Sequence, residues 1–140
     1  MSEADLLRTL VEAEHAAVYG YGVLGARLAE PLRTAAREAD DAHRARRDEL
    51  GALLRARRSA VPPTRAAYDV AVADQADALA LAVRLEEGMA LRWRDLVGGT
   101  DDRALRAVGI SALTDAAVRA ARWRRAIGRR TGTVALPGGR

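Results

Sequence analysis

The chain contains no cysteine, no lysine and no phenylalanine. The first absence excludes disulfides, thiolate metal sites and cysteine nucleophiles. The other two, set beside an abundance of alanine and arginine, fit a GC-rich genome and require no functional reason. No apolar run approaches the length needed to span a bilayer, and the N-terminus lacks the apolar region of a signal peptide. A cytoplasmic protein with no membrane partner is therefore expected. Gly-rich phosphate loops, nucleophile elbows and strand-like alternation are also missing.

What is present suits one helical domain. The 140 residues are 49% hydrophobic, enough for a continuous core. The formal net charge is +4, carried entirely by arginine, and it is unevenly spread. Residues 1–30 hold two arginines against five acids, and residues 68–97 hold three against six. Residues 33–65 hold nine arginines against five acids, and residues 119–140 hold seven and no acid. Two acidic and two basic segments that become neighbouring helices largely neutralise one another. The C-terminal segment is the remaining basic excess. It lacks the aromatic interleaving of a nucleic-acid surface, so an arginine-rich nucleic-acid binder is the least favoured reading.

Apolar residues recur at helical spacing in four segments, about 3–29, 32–58, 70–97 and 101–128. Ser2 and Asp5 read as a capping box for the first, and Pro31 ends it. Pro31 suits the first helical position of the second. Asp69 reads as N-cap of the third, Gly98-Gly99 as its end, Thr100 as N-cap of the fourth and Gly128 as its stop. Gly20, Gly22 and Gly25 lie inside the first helix and point to close approach of another helix, within the bundle or between chains. The short link at Pro31 makes the first two helices an antiparallel hairpin. Between the second and third, Ser59 to Tyr68 contains Pro62-Pro63 and cannot be helical throughout. Extended, it reaches about 33 Å, against about 39 Å for a helix of this length. That length predicts a crossover that leaves helices two and three parallel, in an all-α antiparallel four-helix bundle. Residues 129–140 read as a non-helical tail, with Val134 and Leu136 as the positions that would pin it.

Each helix carries a polar residue on its apolar stripe: Glu14 on the first, His43 with Asp40 one turn earlier on the second, Glu86 on the third, and Arg119 with Asp115 one turn earlier on the fourth. Midpoints of antiparallel helices meet at one level, and a carboxylate placed there must be paired, protonated or bound to a cation. Carboxylate-bridged dinuclear metal bundles use a Glu from each of two helices and Glu-x-x-His from the other two. Here Asp40-x-x-His43 is a shortened version, and the fourth helix has Val118 where the second histidine would stand. Glu14, His43 and Glu86 are the candidate metal ligands, for iron or manganese, with Tyr21 and Glu87 as neighbours. Arg119 can instead fill the metal's place with a guanidinium. Trp93 and Trp123 read as core packing, and His15 as a flank or inter-helix histidine.

Four stretches carry a resemblance. Glu14-His15-Ala16-Ala17-Val18-Tyr19-Gly20-Tyr21-Gly22, His43-Arg44-Ala45-Arg46-Arg47-Asp48, Ala121-Arg122-Trp123-Arg124 and the closing Leu136-Pro137-Gly138 resemble a family of small bacterial ferritin-like proteins of unassigned function, found chiefly in high-GC Gram-positive bacteria. The resemblance covers nearly the whole chain and implies a ferritin-like bundle; it does not imply ferroxidase activity. Two principal readings follow. One is a non-catalytic bundle with a polar core network and self-association through helix faces, most simply as a homodimer. The other is a metal-binding oxidoreductase of ferritin-like type.

Overall fold

The computed structural model describes residues 1–130. It consists of four helices, α1 (Glu3–Gly25), α2 (Leu32–Ala56), α3 (Gln75–Gly99) and α4 (Arg103–Arg130), with no strand among the described residues. The anticipated packing of Val134 and Leu136 lies outside them.

Helix ends follow from local chemistry. Ser2 and Asp5 form the capping box of α1, each side chain bonding the other's backbone N–H at 3.1 Å. Pro31, preceded by a cis peptide bond, is the N-cap of α2 and not its first helical residue. The Glu30 carboxylate accepts from the Thr34 N–H at 2.9 Å and takes over the cap's role. α3 starts at Gln75, not near Val70, because Asp74 is its N-cap and accepts from the Asp77 N–H at 2.8 Å. Asp69 is not a cap. Val70 and Val72 are half-buried while Asp69, Ala71 and Ala73 are exposed, so this stretch alternates like extended chain before the helix begins. Asp102, not Thr100, caps α4 by accepting from the Leu105 N–H at 3.1 Å. α4 continues through Gly128 to Arg130.

Contacts at the two ends establish the topology. Near one end, Arg57 bonds Glu3 at 2.8 Å and Asp102 at 3.4 Å, and Thr100 donates to Glu3 at 2.6 Å. The start of α1, the end of α2 and the α3–α4 turn are thus tied together. At the other end, the Ala29 N–H lies 3.4 Å from Gln75 Oε1. α2 and α3 therefore run parallel, and residues 57–74 cross the full length of the bundle, as the long proline-bearing linker implied. The crossover is anchored on the way. His15 Nε2 lies 3.0 Å from the Pro62 carbonyl oxygen, Tyr68 meets Tyr19 with ring centroids 5.2 Å apart, and Val61, Val70 and Val72 pack on the core.

The core has two apolar halves. One is built on Leu7, Leu10, Leu50, Leu54, Trp93 and Leu96, the other on Leu24, Leu28, Leu79, Ala82 and Trp123. Between them lie Glu14, His43 and Glu86, all buried. Of the α1 glycines, Gly20 faces Leu85, whose side chain would meet an added Cβ at 2.8 Å, whereas Gly22 has open space around it. Gly109 lies where α4 packs closely on α3, since a Cβ there would come within 2.7 Å of Val97 Cγ2. Val97 is β-branched and stiff, so it yields little. Gly22→Ala should stabilise the protein by about 1 kcal/mol through helix propensity. Gly109→Ala should destabilise it by roughly 1–3 kcal/mol through overpacking. Urea midpoints of the two variants check both signs.

Candidate functional site

The helical repeat brings one ionisable residue from each helix to mid-bundle. On α2 the buried stripe runs Ala36, Ala39, His43, Leu50, Leu54, so the imidazole enters the core where a hydrophobe would. On α1 the stripe passes through Leu7, Leu10, Glu14, Ala17 and Tyr21, and on α3 through Leu79, Ala82, Glu86, Met89 and Trp93. α4 lays Ala112, Ala116, Ala120 and Trp123 against the core and reaches in with Arg119, whose side chain is 18% exposed.

These side chains form one continuous network. His43 Nδ1 lies 2.5 Å from Glu14 Oε1, and His43 Nε2 lies 2.9 Å from Glu86 Oε2. Arg119 Nε donates to Glu86 Oε1 at 3.0 Å. The Tyr21 hydroxyl donates to Glu86 Oε2 and accepts from Trp123 Nε1 at 2.9 Å. Tyr21 also stacks beside the His43 ring, centroids 5.4 Å apart. Glu86 is the hub, accepting from three side chains. Glu14 is the end of the chain, and its Oε2 is buried without a hydrogen-bond partner.

Protonation follows from these contacts. Burial disfavours the charged His43 ring, but hydrogen bonds and attraction from Glu14 and Glu86 outweigh it and raise its pKa to about 9. Both ring nitrogens then donate. Burial pushes Glu14 up, against the pull of His43. Burial also works against the Glu86 carboxylate, but His43, Arg119 and Tyr21 hold its pKa below the usual value. Burial, reinforced by the Glu86 charge, raises Tyr21 well above a free phenol. At neutral pH the layer therefore holds an imidazolium and a guanidinium against two carboxyl groups. The Glu14–His43 contact, at 2.5 Å, is the shorter of the two histidine bonds.

Three expected members stand elsewhere. Asp40 follows the buried Ala39, turns to the flank and pairs with Arg44 at 3.1 Å. Asp115 is displaced by Ala116, which takes the buried position, and pairs on the outside with Arg46 at 3.1 Å. Glu87 lies one residue past Glu86, about 100° round the helix, and pairs with Arg124. Trp123, read from the sequence as packing alone, is a hydrogen-bonding member as well. Its place one turn beyond Arg119 was the available signal.

A metal fits this arrangement poorly. Both His43 nitrogens already face carboxylates, a fixed guanidinium occupies one side of Glu86, and among the described residues no group of three or more His, Asp or Glu is placed to hold an ion. The free Glu14 Oε2 is a single oxygen, without a second unpartnered buried side-chain donor or acceptor beside it among the described residues.

Residues 7–140 match the family model described as Domain of unknown function (DUF4439). The chain belongs to this family. A crystal structure of a conserved hypothetical protein, rv2844, from Mycobacterium tuberculosis is similar over 90% of each chain, with 35% identity and a TM-score of 0.87. No curated protein matches. The DUF4439 chain has no helix, among the described residues, long and apolar enough to cross a membrane.

The sign of the pH dependence follows from His43. Its folded pKa, about 9, lies above the ordinary 6.5. Its contribution to stability is complete below about pH 6.5 and is lost as pH rises through about 9. Glu86, held low, contributes above its ordinary range and is lost as pH falls through its folded value. Wild-type stability should fall by about 3 kcal/mol between pH 6 and pH 10. His43→Gln should lack that alkaline slope. If the variant does not fold, ¹⁵N chemical shifts of His43 in the intact protein should report an imidazolium persisting to about pH 9.

Proposed function

We propose that this protein is a non-catalytic, ferritin-like bundle in which a histidine–arginine ion-pair network takes the place of a metal centre. The observation that carries this reading is His43, with each ring nitrogen on a different buried carboxylate. The parallel α2 and α3 with a full-length crossover support the ferritin-like relationship, since that connection distinguishes ferritin-like bundles from up-down-up-down ones. One ionisable residue per helix at mid-bundle is the pattern of a carboxylate-bridged metal site, with the metal's charge supplied by His43 and Arg119.

Self-association belongs to the same reading. Leu91, Ile110 and Val118 expose 51%, 50% and 44% of their surfaces on α3 and α4. Beside Leu91 runs a shallow trough lined by Ala90, Leu113, Ala117 and Ala120. This outer α3–α4 face, more than the glycines of α1, is the surface that favours a homodimer.

The competing reading is a metal-binding oxidoreductase that uses Glu14, His43 and Glu86; the unpartnered Glu14 Oε2 is the observation on its side. Protein purified without chelator should contain well below one iron or manganese per chain by elemental analysis. Glu14→Gln should cost about 3 kcal/mol, because the buried imidazolium loses one of its counter-charges. Stoichiometric metal that disappears in Glu14→Gln would replace the network reading with the metal one.

A further inference from the structure

α2 and α4 do not close against each other along their whole length. Next to the core network they leave a groove of about 590 Å³. That volume lies within the ordinary range of small-molecule sites, about 300–1,000 Å³. Its two walls differ in kind. Leu32, Ala35 and Ala39 of α2, with the Trp123 ring of α4, form the apolar side. Arg119, Arg122, Arg125 and Arg129 of α4 form the other, against a single acid, Glu38.

The arginines recur at three- and four-residue spacing, so α4 aligns them along one edge of the groove. Some arginines elsewhere on the bundle are matched to acids, Arg57 to Glu3, Arg46 to Asp115 and Arg124 to Glu87. Arg122, Arg125 and Arg129 have no ion-pair or hydrogen-bond partner among the described residues. Arg119 uses only its Nε on Glu86, which leaves its two terminal nitrogens without a hydrogen-bond partner at the inner end. A guanidinium row beside an apolar wall is complementary to a molecule with an anionic head and an apolar body.

We infer that the α2–α4 groove is a binding site for a small anionic amphiphile, a carboxylate or phosphate head on an apolar chain. The head sits among Arg119, Arg122 and Arg125, and the chain lies along Leu32, Ala35, Ala39 and Trp123. The site goes beyond the core reading and does not require it, because Arg122 and Arg125 take no part in the network.

Calorimetric titration of the full-length protein with octyl phosphate, octanoate, inorganic phosphate and octyltrimethylammonium, each below its micelle concentration, tests this. Saturable binding of one molecule of octyl phosphate or octanoate per chain is expected, and the two arms decide between phosphate and carboxylate heads. Inorganic phosphate and the cation should bind at least about tenfold more weakly. The Arg122→Ala/Arg125→Ala double variant, altered only at exposed positions, should lose roughly tenfold or more in affinity. Arg84→Ala, on the exposed side of α3, should lose none. Several results would overturn the inference: no saturable binding by either anion, equal binding of the cation, or an unaffected double variant. The same holds if only duplex DNA binds through these arginines, or if the double variant abolishes a dimer seen by sedimentation.

Discussion

A positively charged imidazole held between two buried carboxylates is the constraint on which the rest of this bundle depends. Neither Glu14 nor Glu86 retains contact with water, so each needs an internal counter-charge. His43 can serve both only if α1, α2 and α3 present the same depth, and Arg119 requires the same of α4. Register between the four helices is thereby specified by a polar layer. The apolar halves on either side, rich in Leu and Ala, would tolerate several alignments. One turn of sliding would strand a charge in hydrocarbon, a cost of several kcal/mol per ion. The layer contributes selectivity among packings more than net stability.

The same accounting explains the distribution of surface charge. Acidic α1 and α3 alternate in sequence with basic α2 and α4, and two surface pairs cross between them, Arg57 to Glu3 and Arg124 to Glu87. Such exposed pairs contribute little each. Their effect is to reinforce one arrangement of four similar helices. Arginine without lysine suits this, because a planar guanidinium can bond a carboxylate at its edge while its face lies over an aromatic ring, as that of Arg46 does with Cζ 5.9 Å from the Trp93 ring centroid. The edge of α4 along the groove carries a row of arginines, Arg122, Arg125 and Arg129, outside that pairing.

Much of this was legible in the residue pattern. Glu14, His43 and Glu86 each interrupt a stripe of hydrophobes, and a stripe is a strong signal because a buried carboxylate has few physical solutions. The crossover was legible from the proline pair and from linker length. What failed lies within about 100° of the right answer on each helix. Asp40 neighbours the buried Ala39, Asp115 neighbours Ala116, and Glu87 neighbours Glu86. Periodicity alone does not choose between adjacent residues on a stripe when alanine is one of them, since alanine sits as readily outside as inside. The start of α3 was misplaced for a related reason: Val72 fits both the helical stripe and the two-residue alternation that Val70 and Val72 adopt. The hydrogen bond of Trp123 left one trace in the sequence, its place one turn beyond Arg119, because a tryptophan on an apolar stripe does not itself show where its N–H points.

Placing the compensating charge on the chain has consequences that a bound ion would not. A metal-centred bundle without its metal leaves carboxylates facing one another, and each must take up a proton or separate. In the proposed network the compensation is covalent, because His43 and Arg119 arrive with the fold. The arrangement has one soft member, His43, whose second ring proton is lost as pH rises through about 9. Loss of that proton leaves Glu14 with an imidazole able to donate from only one nitrogen, already beside an oxygen that has no partner. Glu14 is thus the point where the layer is least satisfied. The Glu86 side, held by Arg119, Tyr21 and Trp123, keeps its contacts whatever the charge on His43.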